Sequence, residues 1–249
     1  MIIIKSESEI QLMRESGRVT AAILRDLRDL IRPGVSTKDI DDFVEGRILE
    51  KGMFPSFRGY NGYPANACVS VNEEVVHGIP SPTRLLSEGD IVSVDIGCTW
   101  KGYVSDAART YAVGRVSELA DRLIRTAEAS FFAGLEHCRA GRRLYDISSA
   151  IQARAESEGF SVVQDYVGHG VGRLMHEDPQ IPNFGKAGRG PRLAKGMVFA
   201  IEPMINTGGW EVEVLRDNWT AVTADGGLSA HYENTVVITD DEPELLTLL

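Results

Sequence analysis

Cysteine is scarce: Cys68, Cys98 and Cys138 are the only three in 249 residues. Their wide spacing excludes a disulfide framework and the paired C-x-x-C thiolates of a structural zinc site, so they are expected as free thiols. Long apolar runs are missing too. No stretch approaches the roughly 18 uninterrupted apolar residues of a membrane span, and the opening MIIIKSESEIQLMRE turns polar too early for a signal peptide. A cytoplasmic protein with no membrane association is expected. Positive charge is in deficit, with 26 Lys and Arg against 36 Asp and Glu for a formal net charge of −10. That balance excludes a chain-wide nucleic-acid footprint. Lys186, Arg189, Arg192 and Lys195 form a local basic cluster that reads first as a solvated loop.

Against these absences stands a hydrophobic fraction of 43%, in a chain long enough for one large domain or two small ones. An internal repeat organises it. IRPGVSTKDIDDFVEGRILEKGM, from Ile31, resembles CRAGRRLYDISSAIQARAESEGF, from Cys138, at an offset of 107 residues. That offset places Arg32 on Arg139, Gly34 on Gly141, Asp39 on Asp146, Ile40 on Ile147 and Gly52 on Gly159. Each copy follows a segment of helical periodicity, about Glu9 to Ile31 and about Glu118 to Cys138, and each contains a second, shorter helix. Ser36 with Asp39 is a capping-box variant at the start of the first short helix, and Gly52 and Gly159 sit where the chain leaves the helices.

The offset reaches further, laying SEGDIVSVDI on LAKGMVFAIEP with Asp95 on Glu202. The runs Ile91 to Val94 and Met197 to Ile201 are short and bulky, as strands of a buried sheet should be, and each leads to an acid. A second strand in each half opens on another acid, Asp106 in DAARTYAVG and Glu233 in ENTVVITD, at an offset of 127. About twenty extra residues, GGWEVEVLRDNWTAVTADGG, account for the difference. A duplicated helix, helix, strand, strand unit follows, with halves of about 1–115 and 116–249 forming one catalytic domain of the α+β class.

Any one of these acids could pair with an arginine such as Arg109 or cap a turn. Four at matched positions on apolar strands are another matter, because their mutual repulsion needs a cation of high charge to offset it. His169, between glycines in YVGHGVGRLMHEDP, adds an uncrowded imidazole, with His176 seven residues on. Four carboxylates and one imidazole without a thiolate suit manganese, iron(II), cobalt or zinc. The charge is enough for two divalent ions, about 3.5–4 Å apart, which lower the pKa of a water toward neutrality for hydrolysis.

Taken in order, ACVSVNEEVVHGIP, IVSVDIG with SDAARTYAVG, GHGVGRLMHEDP, MVFAIEPM and LSAHYENTVVITD closely resemble the type I methionine aminopeptidases, with candidate ligands 11, 63, 33 and 31 residues apart. The likeness covers nearly the whole chain. It implies the pita-bread fold of two pseudo-symmetric halves around a dinuclear site, holding cobalt, manganese, iron(II), zinc or nickel. It implies that Asp95 chelates one ion, His169 and Glu202 bind the other, and Asp106 and Glu233 bridge them, with Glu202 also deprotonating the attacking water. By the same likeness His77 and His176 contact the substrate at the scissile bond, and Tyr60, Tyr63, Cys68 and Trp219 form the methionine pocket. The structural alternative for His77 is a turn residue before Gly78 and Pro80, and as bare residues the four pocket positions would read as ordinary core.

The implied substrate is the N-terminus of a nascent polypeptide, with small second residues favoured, a transient ribosome contact through Lys186 to Lys195, and a monomeric state. Met175 stands where many relatives have phenylalanine. His231 and Asn234 stand where some have glutamine and histidine, and His231 is expected to be an exposed spectator more than an electrostatic neighbour of Glu233. The short span from His169 to Glu202, and the lack of a preceding domain or cysteine-rich extension, point to a compact bacterial-type enzyme. The competing expectations are a peptidase of the same fold that cleaves before proline, and a binding module without catalysis.

Overall fold

The computed structural model describes residues 1–249. Helix α1, Glu7–Leu30, begins where Ser6 and Glu9 satisfy each other: the Glu9 amide donates to the Ser6 hydroxyl at 3.4 Å and the Ser6 amide to the Glu9 carboxylate at 2.8 Å. Its buried stripe includes Met13, Ala21, Leu24 and Leu27, the i, i+3, i+4 recurrence of a helix with one face on a core. Helix α2, Thr37–Glu50, starts at the Ser36–Asp39 box read in the sequence, and Gly52 takes φ +68° as the chain turns away. The second half repeats the order. Helix α3 spans Glu118–Leu135 and α4 spans Leu144–Ser157, where the Asp146 carboxylate accepts from the Arg143 amide at 2.9 Å and Gly159 takes φ +81°.

Each helix pair covers antiparallel strands. In the first half Ile91–Trp100 and Tyr103–Ala112 pair over their full length, and Ala67–Val71 lies on the other edge of Ile91–Trp100. The first strand runs beyond the expected Val94 to Trp100, because Lys101 and Gly102 both adopt positive φ and close a tight two-residue hairpin. In the second half Val198–Ile201 lies between Asn234–Val237 and Gly168–Gly170, with Glu177–Ile181 outside the latter. This strand stops at Ile201, just before Pro203, which has no amide hydrogen for a ladder.

Three apolar clusters hold the layers together. Leu24, Leu27, Ile40 and Val94 belong to one, and Leu123, Phe131, Ile147 and Phe199 to another, beneath the two helix pairs respectively. The third crosses between the halves through Met13, Val104, Val198 and Val237. Burying each such aliphatic side chain contributes about 1.5–3 kcal/mol. The halves also meet by hydrogen bonds at their acid-bearing strands. The Asp106 amide donates to Thr235 Oγ1 at 2.9 Å, that hydroxyl donates to the Asp106 carbonyl at 2.8 Å, and the Glu233 amide donates to the Ala108 carbonyl at 3.0 Å.

The extra residues of the second half form the hairpin Val212–Val214 and Ala221–Thr223, whose second strand pairs with Glu74–Val76 of the first half. It therefore crosses the molecule and delivers Trp219 beside His77, their ring centres 6.2 Å apart. No helix is long and apolar enough to cross a membrane. All three cysteines are free and buried.

Candidate active site

The register brings the acids together. Asp95 lies across from Ala108, and Asp106 across from Gly97, so both carboxylates share one face of the hairpin and have only small neighbours over them. In the second sheet Ile201 pairs with Asn234, which sets Glu202 and Glu233 side by side just past the last pair. His169 pairs with Ala200, two residues from Glu202 and hence on the same face. The glycines flanking His169 permit this closeness: a Cβ on Gly168 would come within 2.5 Å of the Ala200 carbonyl oxygen, and one on Gly170 within 2.2 Å of that of Asp178.

His169 Nε2 stands 3.6 Å from Asp106 Oδ2 and 3.5 Å from Glu202 Oε1. Its Nδ1 lies 2.9 Å from the Gly170 carbonyl, to which it donates, leaving the Nε2 lone pair for a ligand. Separations of this size exceed good hydrogen bonds. They suit donors about 2.0–2.2 Å from a shared cation, which lie about 3–4 Å apart. Two ligand groups emerge, Asp106, His169 and Glu233, and Asp95, His231 and Glu233, with Glu233 common to both.

The electrostatics ask for a cation as well. Asp95 Oδ1, Asp106 Oδ1 and Glu233 Oε1 are buried without a hydrogen-bond donor. Arg109, the alternative partner, donates instead to the main-chain carbonyl of Glu233 and to Asn234 Oδ1, the latter at 2.7 Å. Burial, then Asp106 and Glu202, push Asp95 well above the carboxylate range; burial, then Asp106 and Asp95, do the same to Glu233. Burial raises Glu202 to about 8, with His169 opposing and Asp106 adding to the rise. Burial pulls His169 down, but the adjoining Asp106 and Glu202 carboxylates outweigh it and leave its pKa raised. Unpaired buried acids of this kind fit the donor set of a metal centre.

The five ligand candidates floor a cavity of about 170 Å³. The other six predicted residues, His77, His176, Tyr60, Tyr63, Cys68 and Trp219, line it too. His176 sits at the open mouth, its Nδ1 2.8 Å from the Tyr60 hydroxyl and its ring 4.2 Å from that of His169. Partial burial, then the His169 ring, lower its pKa to about 4. His77, at φ +61°, stands edge-on to Tyr166 and Trp219. Tyr63 Oη is 2.8 Å from the Gly78 carbonyl, to which it donates, tying the pocket wall to the turn after His77.

Sequence reasoning missed Phe57 and Asn61, which complete the lining together with Met175. The loop composition of FPSFRGYNGYP carried no sign of either. His231 needs correction: it is no exposed spectator but only 2% exposed, its Nε2 3.6 Å from Glu233 Oε2 and 4.0 Å from Glu202 Oε2. The basic cluster is partly engaged, Lys195 with Asp240 at 2.8 Å and Arg192 with the Gly141 carbonyl at 3.0 Å.

Comparison with known proteins agrees with this geometry. The sequence model of metallopeptidase family M24 matches residues 11–240. Methionine aminopeptidase of Clostridium acetobutylicum is 53% identical, over 100% of this chain and 99% of that one. Methionine aminopeptidase 1 of Bacillus subtilis is 51% identical, over 99% of each. The crystal structure of methionine aminopeptidase from Thermotoga maritima superposes with a TM-score of 0.99 at 47% identity, covering both chains fully. A prolidase from Pyrococcus furiosus, 22% identical, shares the fold with a TM-score of 0.79 over 99% of this chain and 66% of its own. The pita-bread fold, the full-length identities and the cluster of ligand candidates together place this chain among the methionine aminopeptidases of metallopeptidase family M24.

Proposed function

We propose that this chain removes the initiator methionine from nascent proteins, as a cytoplasmic, monomeric enzyme holding two divalent ions. One observation carries the reading: acids and an imidazole that want a cation lie at the floor of a cavity whose wall is aromatic and thiol-lined. A flexible thioether side chain fits such a wall, which places the first peptide bond over the ligand cluster. A preference for small second residues belongs to this reading, as the family resemblance implies.

When bound, the ions supply Lewis acidity and a water acidified toward neutrality. Asp95 would hold one ion, His169 and Glu202 the other, and Asp106 and Glu233 would lie between them; the place of Glu233 in both ligand groups supports its share of that assignment. Glu202 takes the proton of the attacking water and returns it to the leaving amine. His176, neutral and with Nδ1 accepting from the Tyr60 hydroxyl, keeps a proton on Nε2. From there it donates to the substrate carbonyl oxygen as charge builds, and His77 steadies the same peptide. Tyr60, Tyr63, Cys68 and Trp219 hold the methionine side chain.

The decisive experiment is cleavage of Met-Ala-Ser by metal-stripped protein before and after adding manganese, iron(II), cobalt, zinc or nickel, with Glu202→Ala alongside. Metal-dependent methionine release that the variant lacks is expected. Folded protein that releases none with any metal, or turns over Xaa-Pro peptides faster, would refute the reading. Transient contact with the ribosome runs through Lys186, Arg189, Arg192 and Lys195. Charge reversal at these positions should reduce co-sedimentation with ribosomes, and unchanged co-sedimentation would remove that contact.

A further inference from the structure

We infer that His231 is a further metal ligand, giving the cation centre one imidazole on each side. The inference rests on the proposed cation centre and adds to it a donor that the motif reading set aside. His231 ends the strand Ser229–His231, which pairs with Met204–Asn206. Its main chain is fixed from the other half, where the Thr110 hydroxyl donates to its carbonyl and accepts from its amide, each at 2.9 Å. The backbone that carries the side chain is therefore fixed before any ion arrives.

Its Nε2 is buried and has no hydrogen-bond partner. Glu233 Oε2 at 3.6 Å and Glu202 Oε2 at 4.0 Å lie too far for a hydrogen bond. They match the spacing between His169 Nε2 and its own neighbours, 3.6 Å to Asp106 and 3.5 Å to Glu202. Asp95, His231 and Glu233 offer ligand atoms that all fall within 4.8 Å of one another, as do Asp106, His169 and Glu233. The two groups correspond, each with one aspartate and one histidine around the shared glutamate. An ion on the Asp95 side thus meets a nitrogen where oxygen donors alone would have met it. That shifts preference from magnesium and manganese toward zinc, cobalt and nickel.

The test follows the imidazole nitrogens directly. Protein carrying 15N-labelled histidine is stripped of metal and titrated with Zn²⁺, and long-range 1H–15N correlation spectra are recorded, with His231→Gln used to assign the signals. Metallated Nε2 signals for both His169 and His231 are expected. Calorimetry should show Zn²⁺ binding to His231→Gln weakened about 10-fold or more at one site, with Mn²⁺ affected less. Movement of His169 alone, with His231 retaining a protonated Nε2, would overturn the inference and leave the proposed function standing. If neither histidine moved, the cation centre and this inference would fall together. Should His231→Gln fail to fold, Gln variants of His77, His137, His169 and His176 assign the other four imidazoles, and the wild-type spectra still decide by elimination.

Discussion

Lys5 and Glu177 form an ion pair whose side chains are 3% and 2% exposed, behind the turn that carries Met175 and His176. The Glu177 carboxylate also accepts from the amides of Arg173 at 2.9 Å and Leu174 at 3.3 Å, so one group neutralises a lysine and shapes the turn. Lys5→Met would leave that carboxylate buried with only two main-chain donors. Stranding one member of a buried pair costs about 3–5 kcal/mol. Unfolding entropy near 2.1 cal/mol/K per residue gives about 0.5 kcal/mol per degree for 249 residues, so Tm should fall by about 6–10 °C. Adding Glu177→Gln removes the stranded charge but keeps an acceptor oxygen for both amides, and should recover at least half of that loss. Calorimetric unfolding of the parent, both single variants and the double variant forms a complete cycle. The reasoning fails if Lys5→Met stays within about 1 kcal/mol of the parent, or if the double variant loses the sum of the two single losses.

Three further outcomes follow from the site. In metal-free protein Asp95, Glu202 and Glu233 titrate high, Glu202 near 8. The folded state thus keeps protons that the unfolded chain releases above about pH 4.5, and the stability they confer is lost as pH rises toward about 8. Because a cation must displace those protons, the gain in Tm on adding Mn²⁺ should grow between about pH 5 and about pH 8; a flat or falling gain would contradict it. Gly170→Ala drives a Cβ to within 2.2 Å of the Asp178 carbonyl oxygen, main chain that no rotamer change can clear. It should cost about 1–3 kcal/mol or more and loosen metal binding through His169, while unaltered calorimetric affinity would show that the strands can part freely. Tyr60→Phe removes the hydroxyl that orients His176 at 2.8 Å; kcat on Met-Ala-Ser should drop about 2- to 10-fold with metal affinity unchanged, and a rise in KM with kcat unchanged would show that Tyr60 serves the methionine pocket without orienting His176.

Helix starts and acids were legible for different physical reasons. Ser36 with Asp39, and Gly52 and Gly159 at positive φ, act within a few residues of where they stand, so a local reading finds them. The acids were legible because a charge on an apolar strand is costly, and four such costs at matched positions point to compensating cations. Strand length was not, since the hairpin that carries the first strand on to Trp100 depends on its full pairing with Tyr103–Ala112. Nor was the pocket wall legible in the bare residues, where only the family resemblance pointed to it. Trp219 reaches Tyr63, at 5.1 Å between ring centres, only because an inserted hairpin crosses to a strand of the other half.

His231 falls between these cases. Its two-residue separation from Glu233 places both side chains on one side of an extended segment, a signal as local as the caps. Yet its weight depends on burial, and its surroundings come from far along the chain, its amide donating to the Thr110 hydroxyl 121 positions away. A polar residue in sequence is ambiguous between solvent and site until its surroundings are known. The acids escaped that ambiguity because the repeat supplied each with a counterpart, whereas the residue 127 positions before His231 is Val104, which offers no donor. The repeat therefore pointed to the four acids and was silent on both candidate histidines, since His169 falls on Gly62 and His231 on Val104. A proposed donor of this kind is found by asking which buried nitrogen lacks a partner.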